Sequence, residues 1–423
     1  MPQLIGLTTA RDGSDHSRMT ARLSRRSLLQ AGVLGSTAAA VAACSTRVGG
    51  AALPAGPDLV VGACLELSGI NQNVGTEQAY ALTIIRDTIN ERGVAIGGAM
   101  RKVRLVLADT QSDPVRAKKV MQNLIANESI SAIIGTSMAD TSVAVAPLAQ
   151  SAGVPLVSLT AADAIVTPVQ DRSYVYKLGP NASDVAGLLA GMMKTRKHHR
   201  IAVLYADDAH GVGGRNAMRT AAAHVGLTVA KEVALTATGR LTGYANQADV
   251  VKAAHLDAAV IWTMAPNSGM VARALREKRN TTPFHGELFF DSGAAGDETM
   301  ASYNRSAVAN SYLVSPKILD GSPLAITTPA AQDRQDFYTR YTQAHGIFSS
   351  LAAYGGDGLK LLVNAAQISG STNRRQLRDA MESGIYEGLV GTYAFNTIYH
   401  GGVDPDMLAV FAIKPSGWLE VSA

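Results

Sequence analysis

The sequence has 423 residues, of which 47% are hydrophobic and 17% are charged. This composition predicts an ordered protein, and the length is too great for one compact core, so two α/β units are expected. Most of the net charge of +4 comes from residues 1–43, which hold five arginines, two aspartates and no lysine. Because the remaining chain is nearly neutral and shows no basic face, the composition argues against nucleic-acid binding.

An export signal is predicted at the start of the chain. Arg25 and Arg26 precede a mildly apolar run, Leu28–Ala43, in an arrangement that resembles a twin-arginine signal. Small residues then lead to Cys44, as in the lipobox of bacterial lipoproteins, so we expect a signal peptide over 1–43 and a lipid on Cys44. The run of 16 residues is rich in Ala, Gly, Ser and Thr. It is therefore shorter and less apolar than a membrane-spanning helix, which needs roughly 20 apolar residues.

The stretch after this signal predicts a flexible tether, because residues 44–56 are rich in Ser, Gly, Ala and Pro. The segment before Met19 has no signal-peptide character, which leaves Met1 and Met19 as alternative starts of translation. The other cysteine, Cys64, lies in an apolar run and has no partner for a disulfide bond. It is predicted to be a buried, unreactive thiol.

From residue 58 onward, short apolar runs alternate with longer segments of helical period, which is typical of a parallel sheet covered by helices. The first series predicts strands at 59–61, 103–107, 132–134 and 156–157 and helices at 76–92, 114–127 and 141–151. The second series predicts strands at 201–205, 227–232 and 258–262 and helices at 212–224 and 245–254. Two such series predict two similar lobes with right-handed crossovers.

The chain after residue 315 is less regular. It predicts helices near 330–345, 350–367 and 374–383 and strands near 391–395 and 408–413. Too few strands follow to build a third sheet, so these elements must complete the two lobes, and the chain must cross between them more than once. The predicted lobes are 57–179 plus 315–390 and 180–314 plus 391–423. A hinge between two open α/β sheets places a cleft at the carboxyl ends of their strands.

Several short motifs follow one another in a characteristic order along the chain. They are Leu67-Ser68-Gly69 with Gly75, Ala108-Asp109-Thr110-Gln111-Ser112-Asp113-Pro114, Ile134-Gly135, Ala152-Gly153-Val154-Pro155-Leu156-Val157-Ser158, the stretch 201–211, and Gly391-Thr392-Tyr393-Ala394-Phe395. Each motif alone is weak, but their order and spacing resemble the branched-chain amino acid binding proteins of the type 1 periplasmic binding family. The resemblance covers nearly all of the chain after the predicted tether.

This resemblance implies two Rossmann-like lobes that close on a ligand like a Venus flytrap. It implies an extracytoplasmic solute-binding lipoprotein, anchored at the outer face of the cytoplasmic membrane, that delivers a small polar ligand to the permease and ATPase subunits of an ABC importer. A monomer without a cofactor, a metal site or catalytic activity is expected. A ligand sensor for a signalling partner is the alternative within the same class of binding proteins.

The resemblance also implies a ligand site in the loops after Gly135 and Ser158 and around His210, Met264 and 287–292. The residues expected to contact ligand are Ser68, Asn73, Ser137, Met138, Ala139, Asp140, Thr160, Ala161, Ala162, His210, Met264, Glu287 and Asp291.

Some residues at the expected ligand site differ from those of these relatives, and the difference bears on the identity of the ligand. Hydroxyl side chains that grip an amino acid carboxylate are expected at two positions that here are Ala139 and Ala162, and the neighbouring Asp140 and Asp163 would oppose an anion. The resemblance therefore implies a small amino acid, amide or urea-like ligand rather than an ordinary branched-chain amino acid. Either Glu287 or Asp291 would recognise its ammonium group.

Three chemical motifs have plainer interpretations. Gly135-Thr136-Ser137-Met138-Ala139 loosely matches the G-x-S-x-G elbow of acyl hydrolases, with Asp357 and His400 in the right chain order, but a ligand-contacting loop is favoured. The glycines at 211, 213 and 214 form an incomplete dinucleotide fingerprint and favour a turn into a helix. His198 and His199 are adjacent, so they favour a solvated helix end over a metal site.

Overall fold

The computed structural model describes residues 52–235, 243–279, 281–296, 299–321, 328–346, 348–414 and 417–421. Arg25, Arg26 and Cys44, on which the predicted export signal and lipid anchor depend, lie outside the described residues. No helix in the described ranges is long and apolar enough to cross a membrane.

The first sheet has five parallel strands in the order β4-β1-β5-β6-β7. They are β1 (Leu59–Leu65), β4 (Val103–Asp109), β5 (Ala132–Gly135), β6 (Leu156–Ser158) and β7 (Val175–Lys177), and a small hairpin of β2 (Val94–Ile96) and β3 (Ala99–Arg101) precedes β4. All seven residues of β1 are buried, as expected for a strand of a parallel sheet that is covered on both faces. The helices of this part are α1 (Gln72–Arg92), α2 (Pro114–Ala126) and α3 (Ala139–Ala152).

The second sheet has seven strands in the order β16-β15-β12-β11-β10-β8-β9. Five are parallel, namely β8 (Arg200–Ala206), β9 (Thr228–Leu235), β10 (Ala258–Trp262), β11 (Glu287–Phe290) and β12 (Tyr312–Pro316), while β15 (Leu408–Lys414) and β16 (Gly417–Val421) extend the sheet antiparallel. The helices are α4 (Ala182–Thr195), α5 (Ala209–Val225), α6 (Ala245–Lys252), α7 (Asn267–Arg276) and the short α8 (Arg305–Val308).

The chain returns to the first sheet before it ends in the second. After β12 it forms α9 (Pro329–His345), α10 (Ser350–Ser369) and α11 (Arg374–Met381), of which α9 and α10 pack on α1 and α11 packs on α10. A two-stranded ladder of β13 (Tyr386–Glu387) and β14 (Thr392–Tyr393) follows, and then β15 and β16. Within the described ranges the chain therefore passes between the two sheets three times.

The predicted α/β class with parallel sheets is confirmed, and the predicted strand 258–262 matches β10 residue for residue. Helix α5 begins three residues before its predicted start at 212, because the Asp208 side chain caps it by accepting from Gly211 N. The elements not predicted from the sequence are β2, β3, β7, β11, β12, β13, β16, α4, α7 and α8. Helix α4 does carry buried apolar residues at helical spacing, among them Val185, Leu189 and Met193, so the sequence held a signal for it.

Two glycines allow helices to approach the strand ends closely. A Cβ on Gly75 in α1 would lie 2.2 Å from the carbonyl oxygen of Glu66, and a Cβ on Gly214 in α5 would lie 2.0 Å from the indole of Trp262. Trp262 is buried and ends β10. The N-terminal halves of α1 and α5 are therefore held against the carboxyl ends of β1 and β10.

Candidate functional site

A cleft with a volume of about 230 Å³ lies where the carboxyl ends of the two sheets face each other. Its lining from the first sheet consists of Ile70, Asn71, Ser112, Pro114, Met138, Ala139, Asp140 and Thr141. Its lining from the second consists of Ala206, Asp207, Asp208, Leu235, Tyr244, Thr263, Met264 and Asn267. Ligand sites of open α/β sheets occupy this position, since the loops that follow parallel strands converge there.

On the side of the first sheet, Asp109 fixes the loop after β1. Its Oδ1 accepts from the backbone nitrogens of Leu67 (3.0 Å) and Ser68 (3.1 Å), and its Oδ2 accepts from Ser68 Oγ at 2.6 Å. Burial acts to raise the pKa of Asp109, but these hydrogen bonds outweigh it and lower the pKa below the usual aspartate value. The Ser68 hydroxyl is thus used within the wall, where it positions the loop that carries Ile70 and Asn71 into the cleft.

The loop after β5 is fixed by a fully buried carboxylate, Glu66. Its Oε2 accepts from Ser137 N at 2.7 Å, and its Oε1 accepts from Thr141 Oγ1 at 2.5 Å. A chain of buried hydroxyls continues inward from Thr141, with separations of 2.5 to 2.8 Å between neighbours, through Thr136, Ser142 and Ser158. Burial raises the pKa of Glu66, and the bonds from Thr141 and Ser137 oppose that rise.

On the side of the second sheet, Asp291 occupies the equivalent structural position at the end of β11. It is fully buried, and its Oδ1 accepts from Thr263 N at 3.0 Å. Its Oδ2 accepts from Gly293 N and from His210 Nε2, each at 2.8 Å. Burial acts to lower the pKa of His210, but the charges of Asp291 and Asp208 outweigh it and raise the pKa above the usual histidine value. The raised pKa of His210 favours a charged imidazolium, held by its hydrogen bond to the Asp291 side chain.

Two helix N-termini meet across the cleft. Asp140, in the first turn of α3, accepts a hydrogen bond from Ala209 N at the start of α5, with Oδ1 and N 3.0 Å apart. Asp208 faces Asp140 from the second wall, and burial raises the pKa of Asp208. A backbone donor of one wall is thus satisfied by a carboxylate of the other.

Four of the residues predicted to contact ligand line the cleft, namely Met138, Ala139, Asp140 and Met264. Ser68, Asn73, Ser137, His210 and Asp291 belong to the surrounding loops and helix ends but are not lining residues. Thr160, Ala161 and Ala162 follow β6 and are also not among them. For Asp291 the physical reason is that both of its carboxylate oxygens are already occupied by three donors.

Glu287 does not belong to the cleft. It begins β11, at the opposite end of the strand from Asp291. Its carboxylate is paired with Arg196 and with His198 Nε2, the latter at 2.9 Å. The structure therefore does not place Glu287 at the edge where the loops converge, because β11 lies between it and that edge. His198, for which a solvated helix end was predicted rather than a metal site, is a partner of Glu287.

Sequence reasoning missed the acidic pair Asp207 and Asp208, although both follow the predicted strand 201–205 directly. Position at the carboxyl end of a parallel strand was the signal that could have identified them. Tyr244 and Asn267 had no such signal, because Tyr244 directly precedes one helix and Asn267 begins another.

The hydrolase interpretation of Ser137 is contradicted by its surroundings. Asp357 is held by Leu389 N, Val390 N and Tyr393 Oη, and burial raises the pKa of Asp357 to about 6. His400 Nδ1 donates to backbone carbonyls at 172 and 175 and its Nε2 faces Glu382. Within the described residues neither Asp357 nor His400 is hydrogen-bonded to Ser137, so these three side chains form no catalytic triad.

A comparison of the sequence with known families decides the relationship. Residues 58–415 match the family described as periplasmic binding protein. The chain belongs to the periplasmic binding protein family. The predicted membership of its type 1 branch, which includes the branched-chain amino acid binding proteins, is confirmed.

Similarity to individual periplasmic binding proteins is moderate. A Leu/Ile/Val-binding protein homolog 7 of Brucella suis is 31% identical over 171 residues, which cover 38% of this chain and only 41% of that relative. An amino acid binding protein of Pseudomonas aeruginosa is 23% identical over 318 residues, covering 73% of this chain and 82% of the relative. The crystal structure of an extracellular ligand-binding receptor from Rhodopseudomonas palustris has a TM-score of 0.77 at 19% identity, covering 87% of this chain and all of that one.

Proposed function

We propose that this periplasmic binding protein is the solute-binding lipoprotein of an ABC importer, which captures a small polar ligand between two lobes and passes it unaltered to a permease. The observation that carries the proposal is the cleft, because loops of both sheets line it and a ligand there would touch both. The proposed lobes are 57–179 plus 315–390 and 180–314 plus 391–423, each built around one sheet.

Closure of the two lobes would follow from differential binding. A ligand favours the closed state only to the extent that it binds that state better, and contacts with both walls supply the difference. The hydrogen bond from Ala209 N to Asp140 also links the two walls, as a ligand in contact with both would. Three chain connections between the sheets suit a hinge, and two of them are paired, with Lys177 N donating to His400 O and Gly402 N donating to Lys177 O.

The ligand class proposed is that of small amino acids, amides and urea-like compounds. The names of the Brucella and Pseudomonas relatives, a Leu/Ile/Val-binding protein homolog and an amino acid binding protein, support a ligand of this size and polarity. The volume of about 230 Å³ agrees with a small ligand, since pockets for drug-sized compounds begin near 300 Å³.

Anchoring at the membrane is the second part of the proposal. Arg25, Arg26 and Cys44 resemble an export signal and a lipidation site, and the residues after Cys44 would tether the binding domain near its permease. Replacing Cys44 by serine tests this part: the variant is expected in the soluble extracytoplasmic fraction, while the parent sediments with membranes. Equal membrane association of the two proteins would contradict lipidation of Cys44.

Small-angle X-ray scattering of the purified full-length protein tests the binding function. A compound that raises the melting temperature is expected to lower the radius of gyration as well, and mass spectrometry is expected to recover it unchanged. An identical scattering profile with and without such a compound, or recovery of a reaction product, would contradict a binding protein that closes on its ligand.

A further inference from the structure

The cleft is lined by acidic side chains and by none that are basic. Asp140 projects from the first wall, and Asp207 and Asp208 project from the second. No lysine or arginine occurs among the lining residues in the described part of the chain. The other polar lining residues carry only amide or hydroxyl groups, so the wall presents a net negative charge to anything that enters.

The cationic groups near the cleft do not neutralise it. The imidazolium of His210 is hydrogen-bonded to Asp291 and is shared between that carboxylate and Asp208. The ammonium group of Lys177 lies 3.0 Å from Asp163 and also donates to backbone carbonyls of the chain connection. Among the three lining carboxylates, the imidazole of His210 thus faces Asp208, and it is shared with Asp291. Carboxylates that face one another are costly unless a cation lies between them.

The side-chain amide of Asn267 also favours a ligand that donates hydrogen bonds, and this observation is independent of the lining charges. Asn267, the first residue of α7, is a partly buried lining residue of the cleft, and its Oδ1 has no hydrogen-bond partner among the described residues. Buried acceptors in native proteins nearly always receive a hydrogen bond. An N–H group of a bound molecule would satisfy Oδ1, whereas a carboxylate, which has no hydrogen to donate, could not.

We infer, given the proposed binding function, that the ligand is a small organic cation with N–H donors, such as an amine, amidine or guanidine, and that it carries no free carboxylate. Its charged end would lie between Asp140 and Asp208, where charge-assisted hydrogen bonds are strongest. Its carbon chain would contact the apolar lining residues, Ile70, Met138, Leu235 and Met264. A free amino acid would bring its own carboxylate against the same aspartates.

Matched pairs of compounds test the inference by isothermal titration calorimetry on the purified full-length protein. Agmatine differs from arginine, and leucinamide from leucine, chiefly by loss of the carboxylate, and acetamide and urea supply neutral members. We expect at least one of the cations to bind, about 10-fold or more tightly than its amino acid, because one unfavourable buried charge contact is worth at least that factor. Tighter binding of arginine, leucine, acetamide or urea would overturn the inference.

Variants connect the affinity to the cleft. Asp208→Asn keeps an N-cap residue at α5 but removes the charge, and it is expected to weaken binding of the preferred cation about 10- to 100-fold. Asp171→Asn removes an exposed carboxylate outside the lining and is the matched control, with unchanged affinity. Circular dichroism and the melting temperature verify the fold of each variant. Equal affinity of the Asp208 and Asp171 variants would overturn the assignment of the charged end to this cleft.

The outcomes separate this inference from the function on which it rests. If a zwitterion or a neutral compound binds best and compacts the protein in scattering, the cation assignment fails while the binding function stands. If no member of the panel binds, the inference fails, and the binding function loses the ligand class proposed for it.

Discussion

The two walls of the cleft are fixed by different chemistry. In the first wall, Glu66 anchors a chain of hydroxyl groups that ends at Ser158. In the second wall, the carboxylate of Asp291 accepts hydrogen bonds from two backbone nitrogens and from the imidazole of His210. The donors to Glu66 are neutral groups, whereas Asp291 also binds an imidazole, so removing Asp291 would leave a buried charged ring unpaired. Removing the buried carboxylate should therefore lower the free energy of unfolding more in the second wall than in the first.

Removing Asp291 is expected to have the largest effect. Asp291→Ala would leave the buried imidazolium of His210 unpaired and two backbone nitrogens without an acceptor, so the free energy of unfolding should fall by about 3–5 kcal/mol. Urea unfolding measures the change. Glu287→Ala, at the other end of the same strand, is the control and should cost about 1 kcal/mol or less, because its partners are partly exposed. Comparable losses from the two variants would contradict the buried-pair interpretation.

The corresponding change in the first wall should cost less. Glu66→Ala removes the acceptor of Ser137 N and of the Thr141 hydroxyl, and about 1–3 kcal/mol is expected for donors left unsatisfied. The measurement is again urea unfolding under the same conditions. A loss as large as that of Asp291→Ala would show that Glu66 also supports a charge, and the contrast between the walls would disappear.

The pH dependence of stability should differ as well. Because the folded-state pKa of His210 is raised, its contribution is fully present below the unfolded histidine pKa of about 6.5 and is lost as the pH rises through the folded value. The groups that face it are Asp291, Asp208 and Asp163. Urea unfolding from pH 6 to 9 should show a decline in the parent that is reduced in His210→Gln, by about 1.4 kcal/mol for each pH unit that separates the two pKa values. Parallel profiles would contradict the assignment.

The smallest effect is expected where the walls touch. Asp140→Ala removes the acceptor of Ala209 N, which should change the free energy of unfolding by about 0.5–1.5 kcal/mol and enlarge the radius of gyration of the unliganded protein. Asp140→Asn retains a side-chain carbonyl and should preserve the compact form. If alanine and asparagine give the same scattering profile, this hydrogen bond has no part in closure.

The fold could be predicted because its signals are local. Apolar runs such as β10 are buried on both faces, so strand identity follows from composition. The site was only partly predictable. Met138 and Asp140 follow a predicted strand and line the cleft, whereas Glu287 and Asp291 lie at opposite ends of β11, which the sequence analysis had not identified. A shift of four positions along β11 moves a side chain from the outer surface to the edge beside the cleft. The sequence can distinguish these positions only if the strand boundaries are known.

Other lining residues could not have been found from the sequence. Tyr244 and Asn267 reach the cleft because α6 and α7 start beside the strand ends, and that placement depends on packing between helices and sheet rather than on any pattern along the chain. The pairing of His210 with Asp291 likewise joins residues 81 positions apart.

The packing of Gly214 against Trp262 has a practical consequence for spectroscopy. The sequence has two tryptophans. Trp262 is buried directly before the lining residues Thr263 and Met264, with the His210 ring 6.1 Å away, whereas Trp418 lies on the edge strand β16. Intrinsic fluorescence should therefore contain a component whose emission reports the occupancy of the cleft without any attached dye. Replacing Trp418 by phenylalanine would isolate that component.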